Sequence, residues 1–481
     1  MKQKIFGKTH LLLLLIVLFG LFLRLLFFSG MGISDSLAYS KTANDINEGL
    51  GIDPDSTLTL STRLGLIFPT ILSYRLFGIN DFSSVVFVLI VSIASIILIF
   101  YFGKLLFNEK IGLMAALLFS FFPLDIVHAT KLSSDLPSAF FMALGVYIFL
   151  YAEMKHKLKY GLSYLFSGIF IGIGYLIRES ALLIALFFIS YIIYKRSIKK
   201  EYFLIPLGIL IIFVIEAFMF LSITGDPIYR TVSSQQYNTE QVITHNYFGR
   251  LDFPTGLFHY PWLFLTNSLL TYFYLFILIA LIYVLAKKKK EIYSILLWFI
   301  PILLYLSFGS ASLTQYIPFR AVDRYTSIVT IPGILLLAFF LSEKKAVIRK
   351  GIMPIALILL LVISTGTVYL REDRHLLDDL RESHPFLKNL DKTVFIDDRS
   401  LKALDYISEY AINKNLKKYP DNLDKVKDSY IVINLHMIRN LKEANKNLKF
   451  TDEIENIPKD WKIIKEIGKI EKDKIIVYYT S

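Results

Sequence analysis

Long apolar runs separated by short charged connections dominate the chain from Leu11 to Leu370. Roughly 20 apolar residues suffice for a helix to cross a bilayer. Runs near 10–28, 84–103, 111–127, 136–152, 161–177, 180–194, 202–222, 262–286, 291–308, 325–341 and 351–370 therefore predict eleven spans. The first follows a basic start (Lys2, Lys4, Lys8) and carries Arg24 near its far end, with no small-x-small site after it. It reads as a retained span rather than a cleaved leader, with Arg24 snorkelling toward the interface. Two connections are far longer than the others, 29–83 and 223–261. Within the first, RLGLIFPTILSYRLFG (Arg63–Gly78) is apolar but too short and too charged to span, and predicts a helix lying in the interface. The second holds Tyr229, Tyr237, Tyr247, Phe248, Phe253 and Tyr260, with Trp262 just beyond it, which predicts an ordered, interface-packed segment.

Beyond Leu370 the pattern changes. TVFID (393–397) and SYIVINL (429–435) are short apolar runs bounded by polar residues, hence strands. LKALDYISEYAI (401–412) has helical spacing between them, and strand–helix–strand order predicts a partly parallel sheet. No glycine-rich phosphate loop follows either strand, so nucleotide binding has no support. The fold class is an all-α polytopic membrane body, residues 1–370, followed by a small soluble α/β domain, residues 371–481.

Composition agrees with this division. Of 481 residues 55% are hydrophobic, with a mean hydropathy of +0.54. There is no cysteine, which excludes disulfides and thiolate metal sites. The formal charge of +12 would suit a nucleic-acid binder, but its distribution excludes that reading. Residues 371–481 carry 22 basic and 21 acidic groups, and the excess sits in the short connections of the membrane body. With a cytoplasmic N-terminus, the connections assigned inside hold 20 basic against five acidic residues, and those outside nine against twelve. That asymmetry follows the positive-inside rule. It predicts that both long connections and the C-terminal domain face the extracytoplasmic side. High Lys, Ile and Asn content points to the plasma membrane of a prokaryote.

The outward acids and arginines are the candidate chemistry. Asp35 follows the first span, with Tyr39 one helical turn later, and Asp135 opens the fourth span within FPLDIVHATKLSSDLPS (Phe122–Ser138). Each could simply cap a helix N-terminus. Alternatively, a carboxylate placed beside an attacking hydroxyl acts as a general base. Arg63, Arg178, Arg320 and Arg324 fall at helix ends on the same predicted face. Arginine offers a fork to phosphate oxygens, although each alone also serves as an interfacial anchor. His128 and Lys131 lie between Asp125 and Asp135 with too few ligands for a metal. Asp53-Pro54-Asp55 reads as a turn or a metal-binding Asp-x-Asp. Glu216, mid-span, predicts a structural hydrogen bond, and Arg178-Glu179 a polar hairpin. These residues by themselves reach as far as an outward-facing site for an anionic amphiphile.

The order of these features resembles the GT-C-fold glycosyltransferases, specifically the protein O-mannosyltransferase-like group that includes the lipid A aminoarabinose transferase. The resemblance runs over roughly residues 1–340. Asp35-Ser36-Leu37-Ala38-Tyr39 is similar to that group's Asp-Glu…Tyr motif, with Ser in place of Glu. Arg63 with the Pro-containing helix ending in Phe-Gly, FPLD…SSDLP with Asp135, GIFIGIGYLIRESALLIAL (168–186) and DRYTSIVTIPGILLLA (323–338) follow in order. The resemblance implies transfer of a sugar from a dolichyl- or undecaprenyl-phosphate donor to a protein, lipid or glycan acceptor, with inversion. It implies Asp35 as base, Asp135 orienting Asp35 or the acceptor, and Arg63, Arg178, Arg320 and Arg324 on the donor phosphate. Tyr39, His128, Lys131 and Tyr325 would contact substrate. No metal or other cofactor is expected, although the divalent ion of related oligosaccharyltransferases keeps Asp53-Pro54-Asp55 open. A transporter or flippase of lipid-linked sugars is the competing reading. It should show repeat halves and midplane charges; the sequence has no such repeat.

Overall fold

The computed structural model describes the chain apart from residues 1, 54–58, 156–159, 244–257, 311–315, 317–320, 344–351, 372–375, 412–414, 421–425, 444–456, 459–460, 469–473 and 481. The membrane body opens with α1 (Lys2–Leu26), α2 (Asp35–Asn47), α3 (Leu64–Phe77), α4 (Asp81–Leu106), α5 (Glu109–Ser120), α6 (Pro123–His128), α7 (Asp135–Lys155) and α8 (Tyr160–Ile177). It continues with α9 (Ala185–Lys195), α10 (Leu204–Thr224), α11 (Tyr229–Ile243), α12 (His259–Thr266), α13 (Thr271–Lys287), α14 (Tyr293–Phe308), α15 (Ser327–Ser342) and α16 (Ile352–Tyr369). A helix coincides with every expected span. Among the described residues six are long and apolar enough to cross a membrane, and shorter apolar helices accompany them. The chain is an integral membrane protein.

Local chemistry sets the boundaries. Asn80 and Ser83 exchange side-chain and backbone hydrogen bonds at the start of α4, a capping box. Asn108 accepts from the backbone N–H groups of Lys110 and Ile111 to start α5. The expected third span is broken: α5 ends at Ser120, and Pro123 starts the short α6 at its first turn, where its missing N–H costs nothing. The sixth span begins as a 3₁₀ turn, Glu179–Ile184, and the eighth is divided between α12 and α13.

Residues Ser327–Phe340 of α15 are buried all round, so this helix lies at the centre of the bundle. Leu14, Leu18 and Phe22 on α1, Leu207, Leu210 and Phe218 on α10, and Ile358 and Val362 on α16 are exposed, as a lipid-facing surface requires. The helix expected at Arg63–Gly78 forms as α3. Leu64, Leu66, Ile67 and Ile71 are buried, while Leu72, Leu76 and Phe77 are exposed.

The C-terminal region holds α17 (Asp378–Lys388), α18 (Asp398–Ile407) and α19 (Leu435–Glu443) with a five-stranded sheet. Its strands are β1 (Val394–Ile396), β2 (Leu416–Lys418), β3 (Ser429–Asn434), β4 (Lys462–Ile467) and β5 (Ile475–Thr480), in the order β2-β1-β3-β5-β4. β1 runs parallel to β2 and β3, as the strand–helix–strand pattern predicts, while β5 pairs antiparallel with β3 and β4. Leu380, Leu387, Val394, Leu404 and Val477 join Leu37, Leu66, Val85 and Leu132 in one apolar cluster. Polar contacts fix the same junction: Arg381 pairs with Asp81 at 2.5 Å, the Tyr406 hydroxyl donates to Asp81 at 3.1 Å and the Tyr410 hydroxyl donates to Ser40 at 2.7 Å. The domain is therefore docked on the end of the bundle that carries α2, α3 and the start of α4.

Candidate active site

The candidate residues converge at that end. Asp35 opens α2, but its carboxylate does not cap the helix; Arg324, just before α15, donates to it at 2.7 Å. Asp135, the first residue of α7, accepts from Arg178 at 2.5 Å and lies 3.7 Å from Arg324. Arg178 also stacks over the Tyr325 ring, 4.6 Å from its centroid. Arg63, the residue before α3, donates to the Tyr39 hydroxyl and, at 3.0 Å, to the Ser134 hydroxyl, and it lies 3.8 Å from Glu179. Arg230 completes the chain, pairing with Glu179 at 2.7 Å and with Glu216 at 2.5 Å.

Four guanidinium groups thus face four carboxylates, and the cluster is electrically balanced. Exposure distinguishes its members. Arg63, Asp135 and Arg230 are buried and Arg178 nearly so, whereas the Asp35 and Arg324 side chains are 27% and 28% exposed. The Glu179 side chain is more open still, at 40%, but its arginine partners are buried, so Asp35–Arg324 is the pair of this network with both partners accessible. Burial works against the Asp35 carboxylate, but Arg324, Arg63 and Arg178 outweigh it and hold its pKa below the ordinary 3.8. Burial likewise opposes the charge on Glu179, yet Arg230 and Arg63 bring its pKa to about 2.

His128 ends α6, and burial together with Lys131 and Arg324 depresses its pKa to about 3 against the pull of Asp135. Its imidazole is neutral near pH 7. Tyr39 is fully buried with its hydroxyl engaged, and Arg320 lies outside the described residues. Among the described residues no group of three or more His, Asp or Glu is arranged to hold a metal ion; Asp53 is described, but Pro54 and Asp55 are not.

One expectation is corrected. Arg24 does not snorkel: it is fully buried, pairs with Asp125, donates to Ser92 at 2.6 Å and reaches the Gly20 carbonyl at 2.8 Å. The break at Pro123 brings Asp125 to it. Asp135 is linked to Asp35 through Arg324, which pairs with Asp35 at 2.7 Å and lies 3.7 Å from Asp135. Glu216 has the structural partner expected of it, Arg230. Sequence reasoning missed the roles of Arg230, Glu179 and Ser134, whose partners come from distant segments. An unpaired Glu216 within an apolar span was the available signal that an arginine was to be found.

Residues 67–220 match the family described as dolichyl-phosphate-mannose-protein mannosyltransferase. That match spans 154 of the chain's 481 residues. None of the curated proteins compared matches the chain by sequence. Among solved structures it is similar to ArnT from Cupriavidus metallidurans in the apo state, with 12% identity, 97% of each chain covered and a TM-score of 0.64. ArnT bound to undecaprenyl phosphate gives 11% identity, the same coverage and 0.64. The archaeal oligosaccharyltransferase AglB from Archaeoglobus fulgidus, in complex with an inhibitory peptide and a dolichol-phosphate, matches at 12% identity over 91% of this chain and 70% of that one, with a TM-score of 0.53. These similarities establish that the chain shares the fold of ArnT over 97% of its length.

Proposed function

We propose that this chain moves a sugar from a polyprenyl-phosphate donor to an acceptor hydroxyl, on the extracytoplasmic face, with inversion at the anomeric carbon. The observation that carries the reading is the half-exposed Asp35–Arg324 pair at the edge of a balanced arginine–carboxylate network. The family match and the polyprenyl phosphates held by the ArnT and AglB structures support the donor class. The charge asymmetry of the connections supports the orientation.

In this mechanism the donor phosphate takes the Arg324 guanidinium, which offers it two parallel N–H bonds, and Asp35 is released from its ion pair. Loss of that partner raises the basicity of Asp35 when a base is needed. The carboxylate accepts the acceptor's O–H proton, the acceptor oxygen forms the new bond to the anomeric carbon, and the bond from that carbon to the phosphate oxygen breaks. Polyprenyl phosphate departs with the electron pair, its charge held by Arg324 with Arg178 behind it. Asp135 keeps Arg178 and Arg324 aligned, and Arg63 holds Tyr39 and Ser134 beneath them. Lys131 and Tyr325 border the same place, and neutral His128 adds no charge to it.

Asp35→Asn in membranes supplied with polyprenyl-phosphate sugars tests this directly. Transfer should fall by about 10²–10⁴-fold, the usual worth of a positioned base. Transfer at the wild-type rate would remove Asp35 from the mechanism. The same assay with a chelator decides whether a divalent ion takes part.

A further inference from the structure

A cleft of about 500 Å³ lies between α2 and the C-terminal domain, and Asp35 forms part of its wall. One side is α2 with Asp53 and the segment Leu60–Ser61; the other is α18 and Tyr410. The two walls are tied together. The Tyr410 hydroxyl donates to Ser40 on α2, and Lys41 lies 5.8 Å from the Tyr410 ring centroid. Glu409 and Tyr410 both have positive φ (54° and 62°), a conformation that costs energy in residues with a side chain. This strained turn swings the tyrosine back against α2.

We propose that this cleft is the acceptor site, and that it selects a neutral polyhydroxyl group, a glycan, over a phosphorylated acceptor. The proposal rests on the transferase reading of Asp35 and names the acceptor class that reading leaves open. Three features point the same way. The cleft is continuous with the carboxylate that would take the acceptor's proton. Five carboxylates line it (Asp35, Asp45, Asp53, Asp398, Asp405) against three basic side chains, Lys41, Arg399 and Lys402. Lys41 with Asp45 and Lys402 with Asp398 at 2.9 Å cancel as pairs, so the acidic excess is two groups, and Arg324 holds Asp35 until the donor phosphate takes it. A phosphate would meet a surplus of like charge there, whereas vicinal hydroxyls donate readily to carboxylates and a sugar face packs on the Tyr410 ring. An extended peptide finds little to hold it, because among the described residues no strand edge lines the cleft to offer backbone pairing. The volume admits two to three sugar rings, on the order of 150–200 Å³ each, within the range of small-molecule sites.

The test uses the full chain in lipid nanodiscs with a polyprenyl-phosphate sugar donor. Three acceptors are compared: a neutral hexose trisaccharide, a hexose 6-phosphate and a Ser/Thr peptide. The trisaccharide should be glycosylated preferentially, and Asp398→Lys with Asp405→Lys should raise its KM at least tenfold while the donor KM stays unchanged. If the lysine pair does not fold, Asp398→Asn with Asp405→Asn should raise the acceptor KM alone by about threefold. Preference for the phosphate or the peptide, or an unchanged acceptor KM, would overturn the proposal. Saturation-transfer NMR of the trisaccharide on wild type and variant decides the matter without turnover. Binding lost in the variant, with no sugar transferred by wild type, would uphold the cleft and defeat the transferase reading; no binding to wild type would defeat the cleft.

Discussion

Arg24 gives its guanidinium entirely to protein oxygens, those of Asp125, Ser92, Gly20 and Ser120. Removing one partner leaves the other charged and buried, which costs about 3–5 kcal/mol, whereas replacing both with apolar residues of similar size is often neutral. Arg24→Met should therefore lower the thermal midpoint in detergent sharply, and Arg24→Met combined with Asp125→Leu should recover most of the loss. A double variant as unstable as the single one would contradict this account of the pair. His128 carries a pH prediction. Its folded pKa, about 3, lies below its ordinary value of 6.5, so the unfolded chain binds the extra proton first. The stability it contributes is complete above pH 6.5 and is lost as pH falls toward 3. The thermal midpoint of wild type should decline from pH 7 to pH 5, and His128→Asn should flatten that slope. These residues also mark where sequence reading stops. Asp35, Arg63, Asp135, Arg178 and Arg324 stood out because each polar group interrupts an apolar pattern beside a helix end. Arg24 was misjudged because its partner lies 101 residues away, and Arg230 was passed over because nothing local links it to Glu179 or Glu216.

Among the helices, the tightest approach is α8 against α10. Gly168 faces the Ile205 carbonyl and Gly208 faces the Leu165 carbonyl so closely that a Cβ on either would overlap backbone. Close backbone approach through small residues is how helices associate in lipid, where apolar burial supplies no drive. Gly168→Ala should cost about 1–3 kcal/mol, read as a lower thermal midpoint in detergent; an unchanged midpoint would mean the two helices separate freely. This packing matters to the site, because α8 delivers Arg178 and Glu179 at its end and α10 carries Glu216. The existence of the helices was legible from hydropathy alone. Their interruptions were not. Pro123, at the start of a short helix, lies inside an apolar run that reads as continuous, and the 3₁₀ turn at Glu179–Ile184 occupies the start of what reads as a regular sixth span. Those interruptions place Asp125 and Glu179 where arginines reach them, so the unpredicted geometry is the geometry the site uses.

At the level of the whole molecule, the bundle gathers charges from seven separate segments at one end and covers that end with the C-terminal domain. Asp81 is the hinge point of this cover, held at once by Arg381 and Tyr406. Asp81→Ala should loosen the domain, seen as faster amide exchange in α17 and α18 with the membrane helices unaffected; exchange unchanged in both would show the apolar cluster alone to be sufficient. The balanced network explains how such a charge density is tolerated beside a membrane; in the proposed mechanism an incoming phosphate displaces a carboxylate to bind. The strand–helix–strand order of the domain was legible from its apolar runs, but its docking was not, since Tyr406 and Tyr410 look like ordinary helix residues until α2 and α4 are set against them. The most direct test of the account is to follow a polyprenyl-phosphate-linked sugar incubated with the purified chain in sealed vesicles. Transfer predicts release of free polyprenyl phosphate with the sugar covalently joined to an acceptor, and its loss in Asp35→Asn. Intact donor appearing in the opposite leaflet, with no free polyprenyl phosphate formed, would contradict the central claim and make the protein a carrier of lipid-linked sugars.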